Sequence, residues 1–210
     1  MYEKVFKRMI DFIIALIGLP VFCLIFIIVG PLIFFEDFGP IFYNGERIGR
    51  NGKIFRMHKF RSMKVNAPDI RLADGSTYNG KDDPRVTKIG RILRETSIDE
   101  TPQLLNILKG EMSFIGPRPD PPDWLDKYPN ELRRFLRARP GITGYSQAYF
   151  RNSDDSYEKI VHDAYYSDNI TLINDIKILC KTVQTVFKHD NIYRTDDKQT
   201  WEDKVSKHPN

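Results

Sequence analysis

Asp99 and Glu100 stand side by side in the run Thr96-Ser97-Ile98-Asp99-Glu100-Thr101-Pro102. Adjacent carboxylates can act as a nucleophile and its partner, as ligands of a divalent cation, or as the acidic cap of a helix. Helical periodicity in Leu104, Leu105, Ile107 and Leu108 begins just beyond them, and Pro102 fits best in a first helical turn, so the spacing predicts a helix starting near Asp99. The positive end of that helix would favour ionised carboxylates, and Ser97 to Glu100 matches a capping box. On pattern alone, capping is the favoured reading.

Basic residues that could grip an anion lie elsewhere. Period-2 alternation in Lys53–Phe60 places Phe55, Met57, Lys59 and Arg61 on one strand face, with Lys59 and Arg61 about 6–7 Å apart. Two solvated edge-strand cations are the plainer interpretation. Gly116-Pro117-Arg118-Pro119 forms a rigid turn that displays Arg118. Asp82, Asp83 and Arg85 close a long Asp-, Asn-, Gly- and Pro-rich stretch, Val65 to Thr87, and loops of that length often line sites.

The elements that must position these groups have two chemistries. Phe12 to Phe35 carries no charge, and at about 1.5 Å per residue a helix of that length would cross a bilayer core of about 30 Å. The bulky residues after Gly30-Pro31 do not suit a signal-peptide cleavage site. Pro20, beside Gly18, would bend such a helix near its middle. Lys4, Lys7 and Arg8 precede the segment, and Arg47, Arg50, Lys53, Arg56, Lys59, Arg61 and Lys64 follow it, so positive charge holds both ends on the cytoplasmic side. A hairpin turning at Pro20 satisfies that; a Pro-kinked spanning helix stays open. Asp11 reads as an interfacial partner of Lys7 and Arg8.

After Pro40 the chain turns polar. Asn51-Gly52 between Glu46–Arg50 and Lys53–Phe60 reads as a β-hairpin. Helical patterns start at Lys88 and Leu104, a charged helix is expected through about Arg139, and another from about Tyr157 to Phe187. The implied units are a membrane-inserted segment, 1–38, a globular domain, 39–190, and a polar tail, 191–210. Lys and Arg exceed Asp and Glu by 32 to 28, which makes no case for nucleic acid and suits anionic lipid or phosphate. Cys23 and Cys180 form neither a disulfide framework nor a metal spacing.

Several stretches resemble the bacterial sugar transferases, specifically the small monotopic phosphoglycosyl transferases. They are Lys59-Phe60-Arg61-Ser62-Met63, Asp83-Pro84-Arg85-Val86-Thr87, Arg94 through Asn106, Lys109 through Pro119, and Arg139-Pro140-Gly141-Ile142-Thr143-Gly144. The resemblance covers nearly the whole chain. It implies an α/β, mainly helical protein: a re-entrant helix-break-helix around Pro20, then a compact globular domain with a small β-hairpin and interfacial amphipathic helices.

It also implies an enzyme of the bacterial cytoplasmic membrane, its catalytic domain on the cytoplasmic face. The reaction would move a phospho-sugar from a UDP-sugar to polyprenyl phosphate with release of UMP and a requirement for Mg²⁺. Asp99 would be the nucleophile and, with Glu100, a metal ligand. Lys59, Arg61, Arg94, Arg118 and Arg151 would meet the phosphates, whose repulsion of a carboxylate demands countercharge. Gly144 and Gln147 resemble a uridine-binding loop. Where many relatives have Val-Asn-Gly, this chain has Tyr149-Phe150 after Ala148, so these aromatics would shape a sugar pocket or pack on lipid. A non-catalytic scaffold, and a glycosyltransferase releasing UDP, are the competing readings; self-association stays open.

Overall fold

The computed structural model describes residues 1–71, 77–80, 82–150 and 156–188. Arg151, part of the Val65–Thr87 stretch and the 191–210 tail lie outside the described residues.

The apolar N-terminal run forms a helix, α1 (Lys7–Asp37), entered through a π-helical turn at Tyr2–Phe6. Pro20 and Pro31 both lie inside it, so the expected division into two helices at Pro20 is not what the hydrogen bonding draws. A proline removes one donor but spares the bonds on either side, and here packing braces the helix from outside. The buried positions Lys7, Asp11, Ala15, Phe22, Val29 and Ile33 recur at three to four residues or multiples of that, a stripe along the whole length of α1.

That stripe lies on the rest of the protein from end to end. At the start, Lys7 Nζ pairs with Asp175 at 2.6 Å, Arg8 donates to Ile107 O and Leu108 O at 2.5 and 2.9 Å, and Asp11 accepts from Phe114 N at 3.2 Å. In the middle, Phe22 meets Phe60 and Phe26 stacks on Phe42. At the end, Glu36 accepts from Lys88 N at 2.7 Å and Asp37 pairs with Arg61 at 2.5 Å. The opposite face exposes Ile13, Ile17, Val21, Leu24, Ile28 and Phe35. By length and composition the helical run Tyr2–Asp37 could cross a membrane.

The expected hairpin forms from β1 (Phe42–Ile48) and β2 (Ile54–Phe60), antiparallel with Phe42 opposite Phe60 and Ile48 opposite Ile54. Asn51 and Gly52 supply the positive φ of the turn, 57° and 76°. Strand β2 ends at Phe60, one residue short of Arg61. Helix α2 (Lys88–Glu95) is capped by Thr87, whose Oγ1 accepts from Gly90 N at 2.9 Å.

Beyond α2 the structure departs from the capping expectation. Ile98–Glu100 is a separate 3-10 turn, preceded by Ser97 at φ 58°, and α3 (Gln103–Lys109) begins after Pro102 with no side-chain cap. Asp99 and Glu100 therefore cap nothing on α3.

A second, parallel pair joins β3 (Ser113–Ile115) to β4 (Gly141–Thr143). The charged helix expected between them is replaced by 3-10 turns at Pro122–Trp124 and Arg133–Arg137. Pro121, Pro122, Pro129 and Pro140 punctuate this stretch, and its apolar residues Trp124, Tyr128, Leu132 and Phe135 form a core of their own. Three helices follow: α4 (Tyr145–Tyr149), α5 (Ser156–Asp168) and α6 (Leu172–Lys188). The single helix expected over 157–187 is thus two, because Thr171 Oγ1 starts a new one by accepting from Asn174 N at 3.2 Å. Helix α6 leaves Leu172, Ile173, Ile176, Leu179 and Val183 exposed at helical spacing.

Candidate active site

The 3-10 turn sets the two acids against the end of β2. Lys59 Nζ donates to Glu100 Oε1 at 2.7 Å and stands 3.9 Å from Asp99 Oδ2. Arg118 Nη2 donates to the same Glu100 oxygen at 3.0 Å. Asp99 is 8% exposed and accepts no hydrogen bond from the described residues. Sites far apart in sequence thus meet: a strand end, a short turn and a Gly/Pro loop.

The environments of the adjacent acids oppose one another. Burial works to raise the Glu100 carboxyl, but Lys59 and Arg118 together overcome it and hold it down to about 2. Burial dominates at Asp99 and pushes its carboxyl above the usual range, with Lys59 opposing and Glu100 reinforcing. Arg118 is held even more firmly charged, chiefly by Glu100.

Arg94, on α2, reaches the same region: Nε donates to Ser62 Oγ at 3.0 Å, Nη1 to Asn79 Oδ1 at 3.3 Å, and its charge acts on Asp99. Arg61 does not join the group. Its guanidinium is engaged by Asp37 at 2.5 and 2.6 Å and by Pro40 O and Met63 O, so it fastens the end of α1. Once β2 stops at Phe60, alternation no longer governs where residue 61 points. Arg85 is likewise internal, bonded to Asp83 and to Pro68 O and Tyr78 O, so this pair braces the loop.

The turn carrying Arg118 is pressed onto the β4 segment. A Cβ on Gly116 would lie 2.1 Å from Arg139 O, and one on Gly144 would lie 2.1 Å from Gly116 O, so both must be glycine for the backbones to approach. Gly144 and Gln147 therefore sit against the Arg118 turn. Gln147 Nε2 donates to Ile142 O at 3.2 Å, while its buried Oε1 has no partner among the described residues. Tyr149 and Phe150 pack in an aromatic cluster with Tyr145 and His162, Phe150 stacked on His162 at 4.2 Å. Their described contacts do not include the acidic pair. Ser62 and Asn79, which hold Arg94, have no role in the sequence reading; Ser62 lies within Lys59-Phe60-Arg61-Ser62-Met63, and Asn79-Gly80 signals a turn but not a partner for Arg94.

Comparison with known proteins bears on the family of the chain. A family model described as bacterial sugar transferase matches residues 2–189. An undecaprenyl-phosphate galactose phosphotransferase of Salmonella typhimurium is 38% identical over 91% of this chain and 42% of its own length. A UDP-N-acetylgalactosamine-undecaprenyl-phosphate N-acetylgalactosaminephosphotransferase of Aeromonas hydrophila is 37% identical, over 86% of this chain and 43% of its own. The chain spans under half the length of these two relatives, but 84% of the exopolysaccharide production protein ExoY of Sinorhizobium fredii, which is 40% identical over 86% of this chain. With the match running from the first turn before α1 to the end of α6, the chain belongs to the bacterial sugar transferase family.

Proposed function

We propose that this protein transfers a sugar 1-phosphate from a UDP-sugar to polyprenyl (undecaprenyl) phosphate, releasing UMP, as the first membrane step of a bacterial glycoconjugate assembly. The observation that carries it is Asp99: a buried carboxylate outside the described hydrogen bonds, next to cations aimed at the same small volume. The relatives named for undecaprenyl phosphate and for a UDP-sugar support the substrate classes.

An oxygen of Asp99 attacks the sugar-bearing phosphorus, and the bond from that phosphorus to the bridging oxygen breaks, so UMP leaves with the electron pair. A phosphosugar-aspartate remains. The lipid phosphate oxygen then attacks the same phosphorus and the bond to Asp99 breaks, giving the polyprenyl-diphosphate sugar and the free carboxylate. Lys59 and Arg118 offset the charge repulsion of both attacks. Arg94, whose charge acts on Asp99, is assigned to the same task, and Arg151 is assigned with them from its motif. Gly144 and Gln147 are assigned to the nucleotide, where the buried Gln147 Oε1 offers an acceptor for a base N–H. Tyr149 and Phe150 are assigned to the sugar or lipid side.

The donor set suits Mg²⁺. Among the described residues no three His, Cys, Asp or Glu side chains gather, which disfavours an all-protein cage and fits an ion held by one or two carboxylates plus substrate phosphates. Asp99 and Glu100 Oε2 would hold it. Bound there, the ion would neutralise charge developing on the phosphoryl and leaving oxygens.

We read α1 as re-entrant in the cytoplasmic leaflet of the bacterial cytoplasmic membrane, continuous in its hydrogen bonding but bent near Pro20 rather than broken there, with both ends on the cytoplasmic face. Attachment of both its ends to one body supports this, as do the basic flanks and the exposed apolar faces of α1 and α6. Each outward Ile, Leu or Phe that leaves water contributes roughly 1.5–3 kcal/mol to insertion.

The test supplies a panel of UDP-sugars, Mg²⁺ and polyprenyl phosphate and monitors nucleotide release. UMP is expected; UDP would mean transfer of the sugar without its phosphate. Asp99→Asn should stay folded and release no UMP, and retained turnover would sink the assignment.

A further inference from the structure

We propose that Lys159 is a positioning residue that keeps Arg118 aimed at the acidic pair and the phosphates, an inference resting on the phosphotransfer reading above. Arg118 sits at the tip of the Gly116–Pro119 turn with its side chain 44% exposed, and among the described residues its side chain is bonded only by Glu100, so its aim also depends on the turn that carries it. Among the described residues, the one side chain that bonds the main chain of this turn is Lys159 of α5, whose Nζ donates to Arg118 O at 3.3 Å. The same ammonium bonds both oxygens of Asp120 at 2.7 and 2.6 Å.

Asp120 is the reason this matters. It lies two residues beyond Arg118, and its charge reaches the guanidinium. A bare Asp120 carboxylate would compete with Glu100 for Arg118 and draw it out of the site. Lys159 neutralises that competitor, and Tyr128 OH, donating to Asp120 Oδ2 at 2.9 Å, occupies the same carboxylate.

The clamp is rigid because its base is core. Tyr128 packs with Ile48, Phe135, Ile160 and Ala164, and Ile160 follows Lys159 directly on α5. Ile48 N donates to Asp120 O at 2.9 Å, which ties the turn to β1. Fully buried Asp163, one turn further along α5, stands 3.9 Å from Lys159 Nζ and accepts from Ser146 Oγ of α4 at 3.3 Å. Displacing a binding group by about an ångström can cost a hundredfold in rate, so a support of this kind acts on catalysis without touching substrate.

The experiment measures UDP affinity by calorimetry, UMP release and melting temperature for the full-length protein. The variants are Lys159→Met, Lys159→Met with Asp120→Asn, Arg118→Lys, and Lys159→Met with Arg118→Lys. Lys159→Met is expected to weaken UDP binding and kcat/KM about tenfold. Adding Asp120→Asn should bring both back to within about threefold of wild type, because the competitor for Arg118 is gone. In the Arg118→Lys background the loss should shrink to under about twofold. A purely structural Lys159 would show the same loss in both backgrounds and no recovery with Asp120→Asn; either result, or no loss at all, overturns the proposal. If Lys159→Met does not fold, Lys159→Gln carries the same comparison. A wild type that neither binds UDP nor releases UMP would instead defeat the phosphotransfer reading.

Discussion

Lys59 Nζ lies 2.7 Å from Glu100 Oε1, and the same ammonium is 3.9 Å from Asp99 Oδ2. One cation therefore binds the second acid and merely faces the first. Glu100, gripped also by Arg118, is held strongly ionised, whereas Asp99 stays buried and outside the described hydrogen bonds. Adjacent carboxyls with opposed shifts are a recurrent way to give two acids two roles. In the proposed phosphotransfer, Glu100 would hold these two cations in place until substrate phosphate competes for them.

Lys59→Met tests this division. Lys59 favours the ionised form of both acids, so its loss should raise both carboxyl titrations, as read by carbon NMR of labelled Asp and Glu. Turnover should fall by about 10²–10³, the usual cost of removing one preorganised charge-stabilising group. An unmoved Glu100 titration would contradict the geometry.

Acid sensitivity follows from Glu100. Its carboxyl is depressed in the folded protein, from an ordinary 4.5 to about 2, so the stability it contributes is present above pH 4.5 and lost as pH falls toward 2. Asp99 works in the opposite sense: its raised carboxyl contributes stability only at low pH, which is lost as pH rises through its folded value. Urea midpoints at pH 5 and pH 3 should therefore differ less in Glu100→Gln than in wild type. Equal differences would show that Glu100 is not ionised by its partners.

The candidate site came from the family resemblance of short motifs: on local pattern alone Asp99-Glu100 reads as a helix cap and Lys59 as a solvated edge-strand cation. What pattern could not supply was their relation. Ser97 to Glu100 reads as a capping box, yet Ser97 adopts a left-handed conformation and Pro102 starts α3 instead. Arg61 looked like a second anion grip because alternation was extended one residue past the end of β2; its true partner, Asp37, is 24 residues away. The missing helix before Arg139 fails for a local reason, the repeated prolines. The parallel pairing of β3 with β4 is a long-range contact between three-residue strands, too short for any periodic signal.

Arg61→Ala should act on stability rather than on substrate. It removes the partner of Asp37 and frees the carbonyls of Pro40 and Met63. Breaking a fully buried pair costs about 3–5 kcal/mol, and because Asp37 keeps 26% of its side chain exposed, about 2 kcal/mol is expected here. Thermal melting should drop while KM for the UDP-sugar stays within about twofold of wild type. A selective rise in KM would return Arg61 to the phosphate site.

The path of α1 can be read by labelling. Spanning the membrane would require one end to leave the globular body. That means breaking Lys7–Asp175, whose side chains are only 11% and 6% exposed, or the Asp37–Arg61 pair. The first would cost about 3–5 kcal/mol and the second about 2 kcal/mol before any gain from lipid, and the outward apolar face is open to lipid without such a rupture. In a protein with Cys23 and Cys180 replaced by serine, cysteines introduced at Lys4 and Phe38 should react with an impermeant maleimide from the same side of oriented vesicles. Reaction from opposite sides would mean that α1 crosses, and that one of its two end clasps opens in the membrane.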